Sequence, residues 1–419
     1  MAVLAPRDRA AAVRRNTRLL ALAQGLAQAA APVLLIVGSQ AIVDLSGHDR
    51  SVGLLNGSYF AAAAIGALAL GRLMDRVGRR PGLLLSYVLV GLSGVGAWLA
   101  ISGGSTVGLL AAGVGFGVGF GGVNLARTAV ADMHPPEHRG RAVGYLLAAA
   151  TIGAVGSPFL VAFLRGVAED RGTDPNLLPW LIVPLVALRA SACSLALRPD
   201  PRDLAVATER EEPERPARGP RQLLRVPGFR IAVVASAVGQ MAMVAVMGVT
   251  PVALDHGHHA SDATVSGVIS LHIAGMFAFS PLIGAALDRV GRRRGLIVGG
   301  CTSIAGALLA ATDADPLVVG IGLFGIGLGW SATFLGATAM ISDLTAPHER
   351  GAALGFNDLL VASVSAAAGL VGGLVFDGAG FRALAVGVAA VVLAVVLLVL
   401  RMREGISVSQ GVPVSVEER

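Results

Sequence analysis

Water cannot cover most of this chain, and that constrains its fold more than any motif. Twelve apolar stretches run through it, at roughly 19–43, 52–74, 81–101, 106–130, 141–165, 179–198, 229–253, 264–287, 295–312, 316–342, 351–376 and 380–401. Each is close to the ~20 residues a helix needs to cross about 30 Å of hydrocarbon. Only 14% of residues are charged, against about a quarter in soluble domains. The expected fold class is an all-α polytopic membrane protein. Arg7, Arg9, Arg14, Arg15 and Arg18, followed by AQAAA, resemble a cleavable leader. The apolar run continues past Pro32 to Val43, so a retained first span is expected.

The basic residues report topology. All 33 are arginine. They cluster at the N-terminus, in alternate loops and in the tail. The other loops carry only Arg50, Arg165, Arg171 and Arg382. Positive-inside placement puts both termini in the cytoplasm. It also argues against reading the basic excess as a nucleic-acid surface. Residues 199–228, with ATEREEPERPARGPRQ, divide the spans six and six and read as a mobile polar linker. The expected organisation is therefore 1–198, 199–228, 229–401 and a cytoplasmic tail at 402–419. Cys193 and Cys301 sit in apolar segments of different halves and imply no disulfide framework.

The halves repeat. GRLMDRVGRR at 71–80 returns as GAALDRVGRR at 284–293, and ADMHPPEHRGRAVGY at 131–145 returns as SDLTAPHERGAALGF at 342–356. Internal repeats with a site at their interface are a transporter signature. The G-x-L-x-D-R-x-G-R-R loop resembles the hallmark of the major facilitator superfamily. Gly71, Asp75, Arg76, Gly78, Arg79 and Arg80 match it, and Asp288, Arg289, Gly291 and Arg292 match its second copy. The resemblance implies two six-helix bundles rocking about a central cavity, with these loops as conformational clasps. Asp132 and Asp343 are repeat-equivalent and are expected to act as caps or clasp partners.

Met243 and Met247, and His272 and Met276, are i, i+4 pairs on neighbouring spans. In an antiparallel hairpin, Met243 comes level with Met276 and Met247 with His272. That depth is on the order of 9–18 Å below the loop joining them. Three thioethers and an imidazole form a soft donor set that favours Cu(I). Packing and a polar contact is the competing meaning. In the intervening DHGHH, His256, His258 and His259 could collect a metal ion beside Asp255, or form a solvated turn. M-x-x-x-M followed by H-x-x-x-M resembles the CcoA-like branch of the superfamily. That resemblance implies copper import, although relatives of the branch carry other cargo, including riboflavin.

Other polar groups leave alternatives open. Asp358 is a candidate proton carrier, or a partner for Arg127 or the clasp loop. Arg127 is expected to snorkel to the surface beside Asn124. Arg189 has no partner in the sequence. Gly144, Gly153 and Pro158 partly match the fifth-span pattern of proton-coupled drug exporters, with Ser157 replacing a glycine; close packing is its default meaning.

No nucleophile–base set, phosphate loop or hydrolytic zinc motif suggests an enzyme. The expectation is a secondary transporter in the bacterial inner membrane, importing Cu(I) or carrying a small organic molecule with proton coupling. A membrane sensor on the same scaffold is the third alternative. The expected partners are the lipid bilayer and a small-molecule or metal-ion substrate, without nucleic acid. No cofactor is expected beyond a transported copper ion, and the chain is expected to act as a monomer.

Overall fold

A computed structural model describes residues 6–205, 218–312, 315–346 and 349–401, and these contain helices and no strands. The membrane helices in chain order are α1 Arg7–Ser46, α2 Arg50–Val77, α3 Arg79–Ser102, α4 Thr106–Asp132, α5 Pro136–Asp170, α6 Leu178–Leu195, α7 Pro227–His258, α8 Asp262–Val290, α9 Arg292–Ala310 and α10 Pro316–Asp343. A continuous stretch, Arg350–Leu400, holds the last two. Gly380, at φ 81° and ψ 174°, breaks it into α11 (350–379) and α12 (381–400). Ten described stretches meet both the length and the apolarity of a span. The twelve-helix count is completed by the turn at Gly380 and by α9, which begins with three arginines. The chain is a multi-pass membrane protein with the all-α fold expected from its sequence.

Local signals set several helix ends. Ser105 accepts a hydrogen bond from Gly108 N at 3.0 Å and starts α4, while Asp315 accepts from Leu317 N at 2.8 Å and starts α10. The packing repeats between halves. α2 and α3 both pack on α4, α1 on α5 and α3 on α6; the same pattern recurs as α8 and α9 on α10, α7 on α11 and α9 on α12. Between the halves, α2 crosses α11 and α5 crosses α8. Small residues allow the first crossing: a Cβ on Gly53 would lie 2.7 Å from Gly369 O.

The described ends of 199–228 are docked, which corrects the mobile-linker expectation for them. Leu204 and Leu223 are buried, giving each end an apolar anchor. Asn16 Nδ2 donates to Pro199 O at 2.9 Å, and Arg15 donates to Arg198 O. Residues 218–226 include the short helix Pro220–Leu223. Residues 206–217 and the expected tail lie outside the described residues.

Candidate functional site

A cavity of about 140 Å³, continuous with solvent, lies at mid-depth between the halves. From the first half, Gln28, Ala31, Pro32 and Leu35 of α1, Tyr59 and Phe60 of α2, Phe120 of α4 and Ala154 of α5 line it. From the second half come Met243, Val244, Met247 and Gly248 of α7, with Ile273, Met276 and Phe277 of α8. None of these residues is charged.

The wall is aromatic on both sides. Tyr59 meets Phe60 edge-on at 4.8 Å, and Phe116 stacks on Phe120 at 5.6 Å. Opposite them, Phe277 meets Trp330 edge-on at 5.8 Å, and Trp330 stacks on Phe334 at 5.1 Å. The Trp330 Nε1–H donates to Gln240 Oε1 at 2.7 Å, which satisfies the indole beside this apolar wall.

The structure brings together three of the four expected donors. Met243, Met247 and Met276 line the cavity; His272 does not. Its ring is fully buried, with Nδ1 2.7 Å from Leu323 O of α10. The four-ligand convergence is therefore corrected to a wall of three thioethers. In DHGHH, His259 ends α7 in the left-handed conformation at φ 48°, and His256 Nδ1 lies 3.4 Å from Asp49 Oδ1 in the other half. Among the described residues no three His, Cys, Asp or Glu side chains converge to hold a metal; His256 and His258 lie in the last turn of α7, and His259 follows it.

Both clasps form. Arg79 pairs with Asp75 at 2.6 Å and with Asp132 at 3.1 Å; Arg292 pairs with Asp288 at 2.6 Å and with Asp343 at 3.2 Å. Gly78 and Gly291 adopt φ of 110° and 90°, which the turn into the next helix requires. Arg76 contributes its carbonyl, to Arg202 Nη1 at 3.2 Å, while Arg289 is exposed and Gly71 half-buried. Sequence reasoning missed Asp200, whose carboxylate accepts from Arg79 N at 3.0 Å and Arg80 N at 2.9 Å, capping α3. A Cβ at position 78 would lie 2.7 Å from that carboxylate. The second half differs: Arg293 Nη2 reaches Leu400 O at 2.9 Å, at the end of α12.

Among the described residues, two arginine–carboxylate pairs join the halves at opposite depths. On the face away from the clasps, buried Arg165 bonds Asp262 at 2.6 Å, Gln40 at 2.8 Å and Asn176 at 2.6 Å. Arg165 stood out in the sequence only as one of four arginines in the sparse loops. On the clasp side, Arg127 pairs with Asp358 at 2.8 Å, and both side chains are about half-exposed, 47% and 48%. Asp358 thus has the arginine partner its sequence position offered, and the half-exposed Arg127 turns across to the other half. In α5, Gly153 lets the backbone approach Gly25, and the Ser157 hydroxyl donates to Ala29 O at 2.5 Å, so this motif packs α5 on α1. Arg189 is exposed beside Leu188 on the outer side of α6.

The sequence profile of the Major Facilitator Superfamily matches residues 19–259 and 233–413. The uncharacterized MFS-type transporter YddS of Bacillus subtilis (strain 168) is 30% identical over 383 residues, covering 89% of this chain and 87% of that protein. The riboflavin transporter RfnT of Brucella anthropi is 28% identical over 380 residues, covering 89% and 92%. Among solved structures, the partially occluded inward-open xylose transporter XylE of E. coli superposes with a TM-score of 0.71 at 15% identity, covering 94% of this chain and 98% of that one.

Proposed function

The chain belongs to the Major Facilitator Superfamily and is a secondary transporter rather than an enzyme, and we propose that it carries a small, uncharged organic molecule bearing a flat ring. The observation that supports this most is the cavity wall: aromatic side chains from both halves, three thioethers and no charge. Aromatic faces and polarizable sulfur both favour a planar ring. A membrane-buried site without charge disfavours an ionic cargo, whose desolvation would go uncompensated. The relative named a riboflavin transporter is consistent with such a cargo. Copper import, the reading its Met and His spacing suggests, loses its imidazole ligand here and lacks support from the relatives.

In this reading the clasp side faces the cytoplasm of a bacterial inner membrane, as the arginine distribution favours. Asp358, in the half-exposed pair with Arg127, is the group we assign to proton coupling. The test is uptake by proteoliposomes offered radiolabelled riboflavin or, in parallel, Cu(I). Riboflavin uptake lost in Phe277→Ala, with no copper uptake, is the expected outcome. Copper uptake that disappears in Met243→Leu/Met247→Leu/Met276→Leu, without riboflavin uptake, overturns the proposal.

A further inference from the structure

We infer that Gln28 determines specificity in this cavity by donating a hydrogen bond to an acceptor atom on the substrate ring, with Gln24 as its positioning residue; this rests on the proposed organic cargo. Gln28 is the one carboxamide among the lining residues. Gln24, one turn earlier and buried, directs its Nε2–H to Gln28 Oε1 at 3.5 Å. That contact engages one of the two lone pairs of the Gln28 carbonyl and orients the amide. The two N–H donors of Gln28 are left for the cavity, whose wall is otherwise apolar except for the Tyr59 hydroxyl. A ring carbonyl or ring nitrogen is the complementary chemistry, since a site built to donate rejects an analogue that cannot accept.

The backbone makes the same point independently. α1 loses its regular helix at this level: Ala29 N and Ala30 N turn back to Leu26 O and Ala27 O at 3.2 and 3.0 Å, and a π turn runs from Val33 to Gly38. Pro32 has no N–H to offer the Gln28 carbonyl four residues before it. Irregular backbone at membrane depth is tolerated where it lines a cavity. Both Gln28 and Pro32 belong to the cavity wall.

The test compares two probes of equal size, quinoline and naphthalene, which differ by one ring-nitrogen acceptor. Binding to the full-length protein in lipid nanodiscs is read from quenching of tryptophan fluorescence. Gln28→Met keeps the side-chain volume without hydrogen bonding, and Gln28→Leu provides a second variant. The preference for quinoline relative to naphthalene should fall about five- to tenfold in both, the worth of one neutral hydrogen bond. Gln24→Leu should reduce it by less. A quinoline-to-naphthalene ratio equal in wild type and both variants overturns the role of Gln28 and leaves the cavity reading standing. Failure of both probes to bind the wild type overturns the cavity reading, and this inference with it.

Discussion

At the scale of residues, His272 separates packing from ligation. Its Nδ1 engages Leu323 O across the α8–α10 contact, its Nε2 is buried without a hydrogen-bond partner among the described residues, and the ring does not line the cavity. His272→Leu should therefore lower thermal stability by about 1–3 kcal/mol, the cost of a lost buried hydrogen bond and an orphaned carbonyl. Transport per folded molecule should be unchanged. Abolished transport with unaltered melting would return His272 to the site. The sequence carried part of this site: i, i+4 spacing correctly placed Met243 and Met247 on one face. The same spacing misled for His272 and Met276. Four residues turn a helix by 400°, so such a pair diverges by about 40°. On α8 that is enough to put the methionine at the cavity and the histidine against α10. Tyr59, Phe120 and Phe277 left no signal, because an aromatic residue in an apolar span reads as lipid-facing or core until its neighbours are known.

At the scale of elements, the clasps were legible and their supports were not. The Gly-Asp-Arg spacing of each loop specifies its own i, i+4 ion pair, and the repeat supplies Asp132 and Asp343 as the second carboxylates. Asp200 caps α3 from 120 residues away, a relation no local pattern carries. The same holds where the chain enters its second half. Glu349, at the start of α11, takes Arg218 N and Nε at 2.9 Å and Nη2 at 2.7 Å. Hydrogen bonding to Arg218, above all, holds its carboxyl down to about 2, from an ordinary 4.5. A depressed carboxylate stabilises the fold fully above its unfolded value and loses that contribution as pH falls toward the folded one. The protection factors of the amides at 218–226, exchange rates corrected for the intrinsic pH dependence, should therefore stay high at pH 5 and fall progressively between about pH 4.5 and 2. In Glu349→Gln the exchange should be fast at pH 5 already. Equal protection in the variant and wild type at pH 5 would remove Glu349 as the anchor of this segment.

At the scale of the molecule, the two arginine–carboxylate pairs described across the halves differ in burial, and burial decides which one holds the conformation. Arg127 and Asp358 are half-exposed, where an ion pair contributes about 0–1 kcal/mol. Arg165 is 8% exposed, and its guanidinium is shared among Asp262, Gln40 and Asn176. Removing one partner of such a buried pair strands the other, at about 3–5 kcal/mol. Applied to one conformer only, that penalty shifts a two-state equilibrium by more than a hundredfold. Opening the face away from the clasps would hydrate Asp262, so Arg165→Met should drive the molecule to that open form. Spin labels at His48 and Gly378, exposed positions of opposite halves on that face, should then separate. Arg127→Met should leave their distance distribution where it was. The double change Arg165→Met/Asp262→Leu should return much of the population to the closed form, because no charge is then left buried without a partner. An open distribution as complete in the double variant as in Arg165→Met would mean that the attraction itself, and not the stranded carboxylate, keeps this face shut.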